Sequence, residues 1–110
     1  WCERNPLHDI VIDKPTVWSS ALDLEGNDTI VEGGSLELNC RVSFPRNATL
    51  EVRPGATLIL NGATLESDCG GYWKGIYIGK YGKEKGIVEI KRKPEITHTD
   101  FSYEDLLKIR

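Results

Sequence analysis

The chain has 110 residues, 39% of them hydrophobic and 28% charged, with a formal net charge of −3. That length holds one domain with a modest core. No apolar run is long enough to cross a membrane as a helix, and the weakly acidic balance gives no general attraction to nucleic acid.

The sequence opens on Trp1-Cys2 and has no Met anywhere, which reads as a processed or excised piece of a longer protein and not as a signal peptide. Cys2, Cys40 and Cys69 fit no zinc spacing. Their scatter suits one disulfide plus a partner outside the segment, or three buried thiols. The pairing stays open, and the balance leans to an oxidising compartment. His8 and His98 lack metal-ligand spacing, so neither a metal site nor a cofactor is expected.

Residues 8–24 read as an opening coil whose apolar positions are Ile10, Ile12, Val17, Trp18, Leu22 and Leu24. Residues 23–28 (DLEGND) form an acidic, oxygen-rich turn. They fail the EF-hand pattern, because glycine stands fourth and Gly34 stands where a bidentate Glu is needed. A solvated turn is the reading.

The chain then repeats itself. Residues 30–39 (IVEGGSLELN) align with residues 52–61 (VRPGATLILN) at a shift of 22, with Gly33/Gly55, Leu36/Leu58, Leu38/Leu60 and Asn39/Asn61 identical. Ala-Thr-Leu occurs at 48–50, 56–58 and 63–65. A short period cut into three strands, with Gly33-Gly34, Pro54-Gly55, Asn61-Gly62 and Gly70-Gly71 as turns, predicts an all-β chain wound as a β-solenoid. Each strand then pairs with its equivalent one coil away. A seven-strand sandwich also has short strands, but it does not require the same residues at the same phase. Residues 28–101 read as the regular coils, interrupted by a lysine-rich loop at 79–85. In the tail 102–110, Ser102 and Asp105 resemble a capping box ahead of Leu106, Leu107 and Ile109. A short helix, a disordered tail and the start of another strand are the alternatives.

Several positions carry candidate chemistry. Asn39 and Asn61 follow Leu-x-Leu strands at one phase, so their amides are expected to stack as a structural ladder; a polar ligand contact is the alternative. Tyr72 and Trp73, in the segment GGYWKGI, are the candidate ligand-binding pair, offering a stacking platform for sugar rings. The competing reading folds Trp73 over the coil edge as a cover for the core. Asn27-Asp28-Thr29 and Asn47-Ala48-Thr49 are N-glycosylation sequons at predicted turns. Glu37, Glu51, Arg53 and Glu66 are expected to face outward, yet Glu37 stacks near Ile59 by the 22-residue register, and no acid/base pair accumulates. No nucleophile elbow and no phosphate loop occurs, so no catalytic residue is assigned. Lys80, Lys83, Lys85, Lys91, Arg92 and Lys93 form a basic stretch that reads as a solvated loop and a lysine-protected edge.

The run from "TVWSSALDLEGNDTIVEGGSLELN" through "NATLEVRPGATLILNGATLES" to "CGGYWKGIYI" resembles the right-handed parallel β-helix segments of secreted and surface proteins of Bacteroidetes-type bacteria. Trp18, Gly33 to Leu38, Leu50 to Leu60 and Trp73 to Ile76 match the steps of those segments, over residues 10–96. The resemblance implies right-handed coils of about 22 residues, three to four in number, within a long multidomain parent exported to the cell surface. It also marks Asp28-Thr29-Ile30, similar to a short O-glycosylation motif of such bacteria, with Thr29 as acceptor. The lysine-rich loop and the tail depart from the pattern.

The expected function is therefore a non-enzymatic extracellular module. It serves as a rigid spacer or as a binding surface for glycans or proteins in a larger adhesin-like chain, with the other domains of that chain as partners. Two alternatives stand beside it: the opening coils of a carbohydrate-active enzyme, a polysaccharide lyase or glycosidase, whose active site lies outside this segment; and an interaction module of a multi-protein surface assembly.

Overall fold

The computed structural model describes residues 9–67 and 72–110. Strands come in successive tiers of three. The first tier is β1 (Ile10–Ile12), β2 (Pro15–Trp18) and β3 (Leu22–Asp23), and the second is β4 (Asp28–Ile30), β5 (Ser35–Leu38) and β6 (Arg41–Ser43). The third is β7 (Thr49–Val52), β8 (Thr57–Asn61) and β9 (Thr64–Glu66). The fourth begins with β10 (Gly75–Ile78), detours through β11 (Lys80–Tyr81) and β12 (Glu84–Lys85), and continues with β13 (Ile87–Arg92) and β14 (Glu95–Ile96); helix α1 (Tyr103–Ile109) follows.

Equivalent strands of successive tiers pair in parallel, giving three four-stranded sheets: β1-β4-β7-β10, β2-β5-β8-β13 and β3-β6-β9-β14. The arrangement is consistent with a β-solenoid. The repeat in the sequence is visible as register. Leu36 pairs with Leu58 and Leu38 with Leu60, while Asp28 pairs with Leu50, each 22 residues on. The spacing is 18 residues from Ile10 to Asp28 and 31 from Thr64 to Glu95, because the corners differ in length while the strands stay in step.

Period-two alternation sends every second side chain inward, and pairing stacks those side chains into columns. One column is Thr16, Leu36, Leu58 and Val88; the next is Trp18, Leu38, Leu60 and Ile90. Leu22, Val42, Leu65 and Ile96 form the column of the third sheet. Leu36, Leu58, Leu60, Val42 and Leu65 are fully buried. The same register separates Val17 from the other apolar positions of the opening coil. Thr16 and Trp18 take the inward sites, so Val17 lies on the outer side with Glu37 and is 61% exposed.

Corners need backbone shapes that side chains resist. Gly33 (φ 85°) and Gly55 (φ 83°) occupy matching corners between the first two sheets, and the Gly33 amide donates to the Gly55 carbonyl at 3.2 Å. Both sit in the left-handed region that glycine alone tolerates at little cost. In the fourth tier the same corner carries an insertion. Gly79 N donates to Val52 O at 2.8 Å, Gly86 N donates to Gly79 O at 3.0 Å, and residues 80–85 project between them as an antiparallel hairpin. A Cβ on Gly86 would collide with the Val52 carbonyl. Residues 80–85 of the expected loop thus form a hairpin that is exposed throughout, while Gly79 at its base is buried.

The tail is a helix and not a disordered end or a strand. Ser102 Oγ accepts from Asp105 N at 3.2 Å while Ser102 N donates to Asp105 Oδ2 at 3.0 Å, closing a capping box. The bond donated by Ser102 N holds the Asp105 carboxyl below the usual carboxylate range. Leu106 is fully buried and joins the core, Phe101 lies against Gly75, and the Lys93 ammonium sits 5.0 Å from the centre of the Tyr103 ring. A seven-residue helix is too short to be stable alone, so its cap and its one buried leucine decide whether it forms. Ser102→Ala is expected to destabilise the helix by about 1 kcal/mol, read as faster amide exchange within α1 than in β5 or β8.

Candidate functional site

The expected sugar platform divides into two unlike residues. Tyr72 is 59% exposed, whereas Trp73 is only 2% exposed. The Trp73 ring stacks on Phe44 with centroids 4.3 Å apart and planes 8° from parallel, and its Nε1 donates to Thr97 O at 2.8 Å. One face of the indole is taken by Phe44, its N–H edge is bonded in the ring plane, and burial leaves no open face for a sugar. Trp73 covers the core, and of the pair only Tyr72 offers a surface ring.

The expected Asn39–Asn61 ladder is not made. Among the described residues no hydrogen bond joins the two amides. Asn61 Oδ1 accepts from Arg92 Nε of the next tier at 2.8 Å, and Arg92 Nη2 donates to the Asn61 carbonyl at 3.2 Å. The long arginine reaches across the tier gap and offers a planar fork of donors, which a second amide cannot match. A different polar column does link the tiers. Asp9 Oδ1 accepts from Asn27 N at 2.9 Å, and Asn27 Oδ1 accepts from Thr49 N at 2.9 Å. These bonds satisfy backbone amides at the start of the first sheet's strands. The spacing of Asn27 to Thr49 is the same 22 residues that the repeat shows, and that was the available signal.

Asp28 breaks the apolar pattern. It pairs with Ile10 below and Leu50 above, and Leu50 pairs with Ile76, so a carboxyl stands in an otherwise aliphatic column. Asp28 is fully buried and neither carboxylate oxygen has a hydrogen-bond partner. Burial alone pushes its pKa from 3.8 up to about 7, because desolvation disfavours the charged form. The DLEGND turn is thus not wholly solvated, since its last residue points into the core.

The two sequons differ in the same way. Asn47 is exposed in a turn with φ 65°, while Asn27 is half-buried and its carbonyl oxygen is engaged with Thr49. Thr29 is half-buried on the outer column between Val11 and Glu51. Cys40 is a half-buried free thiol whose pKa burial raises. Cys2, Cys69 and His8 lie outside the described residues. His98 is exposed with φ 59°, and no metal-binding cluster of His, Cys, Asp and Glu occurs among the described residues.

The outward carboxylates are spread over three sheets, each beside a cation, with Arg41 shared by two of them. Glu51 lies 3.4 Å from Arg53, Glu37 is 3.4 Å from Lys91, and Arg41 bridges Glu66 at 3.0 Å and Asp23 at 3.5 Å. Such surface pairs contribute little stability, but they neutralise the acids locally. Of the basic stretch, Lys91, Arg92 and Lys93 are engaged with Glu37, Asn61 and Tyr103. Lys80, Lys83 and Lys85 on the hairpin have no ion-pair partner among the described residues.

Beside the hairpin lies a groove of about 430 Å³ between β10 and α1, lined by Ile76, Tyr77, Ile78, Lys80, Phe101 and Ile109. Its volume falls in the range of small-ligand clefts. Tyr77 is 61% exposed and Tyr81 on the hairpin is 81% exposed. Sequence reasoning missed Tyr77, because Ile76-Tyr77-Ile78 reads as a core strand unless the alternation is carried to the outer face.

No family model, no curated protein and no solved structure matches the chain. Among the described residues no helix is long and apolar enough to cross a membrane.

Proposed function

We propose that this chain is a right-handed parallel β-helix module of about 22 residues per regular coil, built from three to four coils, that acts without catalysis as a rigid binding surface in a larger extracellular, adhesin-like protein. The observation that carries the reading is the set of large apolar and aromatic side chains on outer faces that the fold does not use. Val11 and Tyr77 end one outer column of the first sheet, and Val17 and Ile87 lie on the outer side of the second. All four are more than half exposed. Scattered single residues are ordinary, but Tyr77 stands beside a groove and a basic hairpin, which is the composition of a recognition surface. The locally neutralised carboxylates favour binding over acid/base chemistry, which needs a convergent pair.

The test is an array of immobilised glycans probed with the purified chain, with a reducing-end assay on every glycan that binds. Binding without product, lost on Tyr77→Ala, is the expected result. Release of shortened or unsaturated product identifies an enzyme and ends the reading.

A further inference from the structure

We infer that the hairpin β11–β12 and the groove beside it form one site for an acidic polysaccharide, a chain of carboxylated sugars. The inference rests on the binding-surface reading and names its ligand. Lys80 belongs to both parts: it is the first residue of β11 and it lines the groove. Lys83 and Lys85 follow along the hairpin, and the only acid among residues 80–85 is Glu84, leaving a net positive finger.

Two features separate this finger from a solvated loop. The hairpin adds nothing to the core, since every one of its residues is exposed and its base is closed by the Gly86–Gly79 bond. Its cations are also placed for a particular chemistry. Lys80 and Lys85 are register partners on one face of the ribbon, and Lys80 lines the groove with Tyr77, while Tyr81 pairs with Glu84 on the other face. Tyr77 in the groove presents an exposed ring whose negative quadrupole suits the weakly positive C–H face of a pyranose ring. The unpaired ammonium groups are mobile point charges on long stems, suited to carboxylates that recur along a polymer. A protein partner needs roughly 800 Å² on each side. A hairpin of two-residue strands with one apolar side chain does not supply that area, whereas a saccharide chain needs only a few rings and charges.

The experiment measures binding of polygalacturonate, neutral dextran and poly-glutamate to the chain at low and at high salt. Polygalacturonate is expected to bind, dextran not to bind, and salt to weaken the interaction. The triple variant Lys80→Gln, Lys83→Gln, Lys85→Gln is expected to weaken binding by about tenfold. Tyr77→Ala is expected to weaken it at both salt concentrations, because ring stacking is not screened. All four positions are exposed, and circular dichroism confirms that the variants keep the fold. Poly-glutamate binding as tightly as polygalacturonate, or affinity unchanged in the triple variant, overturns the assignment. Array binding to neutral glycans with none to polygalacturonate overturns this ligand alone and leaves the binding-surface reading standing.

Discussion

Replacing Asp28 with leucine should make the protein more stable, and increasingly so as pH rises. Leucine has the branching of aspartate, with methyl groups in place of the two oxygens, and the column neighbours Ile10 and Leu50 are aliphatic. The carboxyl has a folded pKa of about 7 against an ordinary 3.8. A raised folded pKa means that the native state holds its proton where the unfolded chain has released it. The contribution of the protonated group is therefore complete below the ordinary value and is lost as pH climbs through the folded value. The loss is roughly 4 kcal/mol, a shift of about three units at about 1.4 kcal/mol each. That is a large share of the stability of a small domain.

No titratable group faces Asp28 from its strand neighbours, since Ile10 and Leu50 fill those sites, and burial is the sole cause of the shift. Chemical denaturation across the pH range should show the wild type falling behind Asp28→Leu between about pH 4 and pH 7. Asp28→Asn removes the ionisation while keeping a buried polar group, so it should lose the pH term and retain the cost of the unpaired amide. A gap between wild type and Asp28→Leu that does not change with pH would refute this account of the site.

Trp73→Ala is expected to cost about 3–5 kcal/mol, whereas Tyr72→Ala next to it should stay within about 0.5 kcal/mol. The indole is buried, stacks on Phe44 and ties its Nε1 to Thr97, so its removal opens a cavity and frees a backbone acceptor. Tyr72 is exposed. Trp73→Phe separates the two contributions, because it keeps a ring against Phe44 and loses the hydrogen bond. Equal losses at positions 72 and 73 in thermal unfolding would contradict the packing described.

The contrast between neighbours shows what the sequence makes legible. Leu36 and Leu58 announce their pairing because identical residues recur at one phase, and Gly33 and Gly55 do so because a left-handed corner admits few alternatives. Asp28 was opaque for the opposite reason. Its polar turn context argues for solvent, and only the shift that pairs it with Leu50 reveals it as an inward site. Val17 shows the limit of composition: hydrophobicity marks a residue as able to be buried, while the register decides which residues are. Asn61 Oδ1 accepts from Arg92 of the next tier, a partner 31 residues on that the identity of Asn39 and Asn61 does not announce. The groove depends on Phe101, Ile109 and β10 meeting in space, and nothing local in those segments encodes the encounter.

The paired glycines beneath the hairpin give the molecule a modular corner. Because Gly79 and Gly86 are bonded to each other and anchored on Val52, the stack below meets the same two residues whatever lies between them. Lengthening such an excursion is thermodynamically gentle, at about 0.6 kcal/mol for each doubling. New recognition loops can therefore be grafted there while the column of leucines remains untouched.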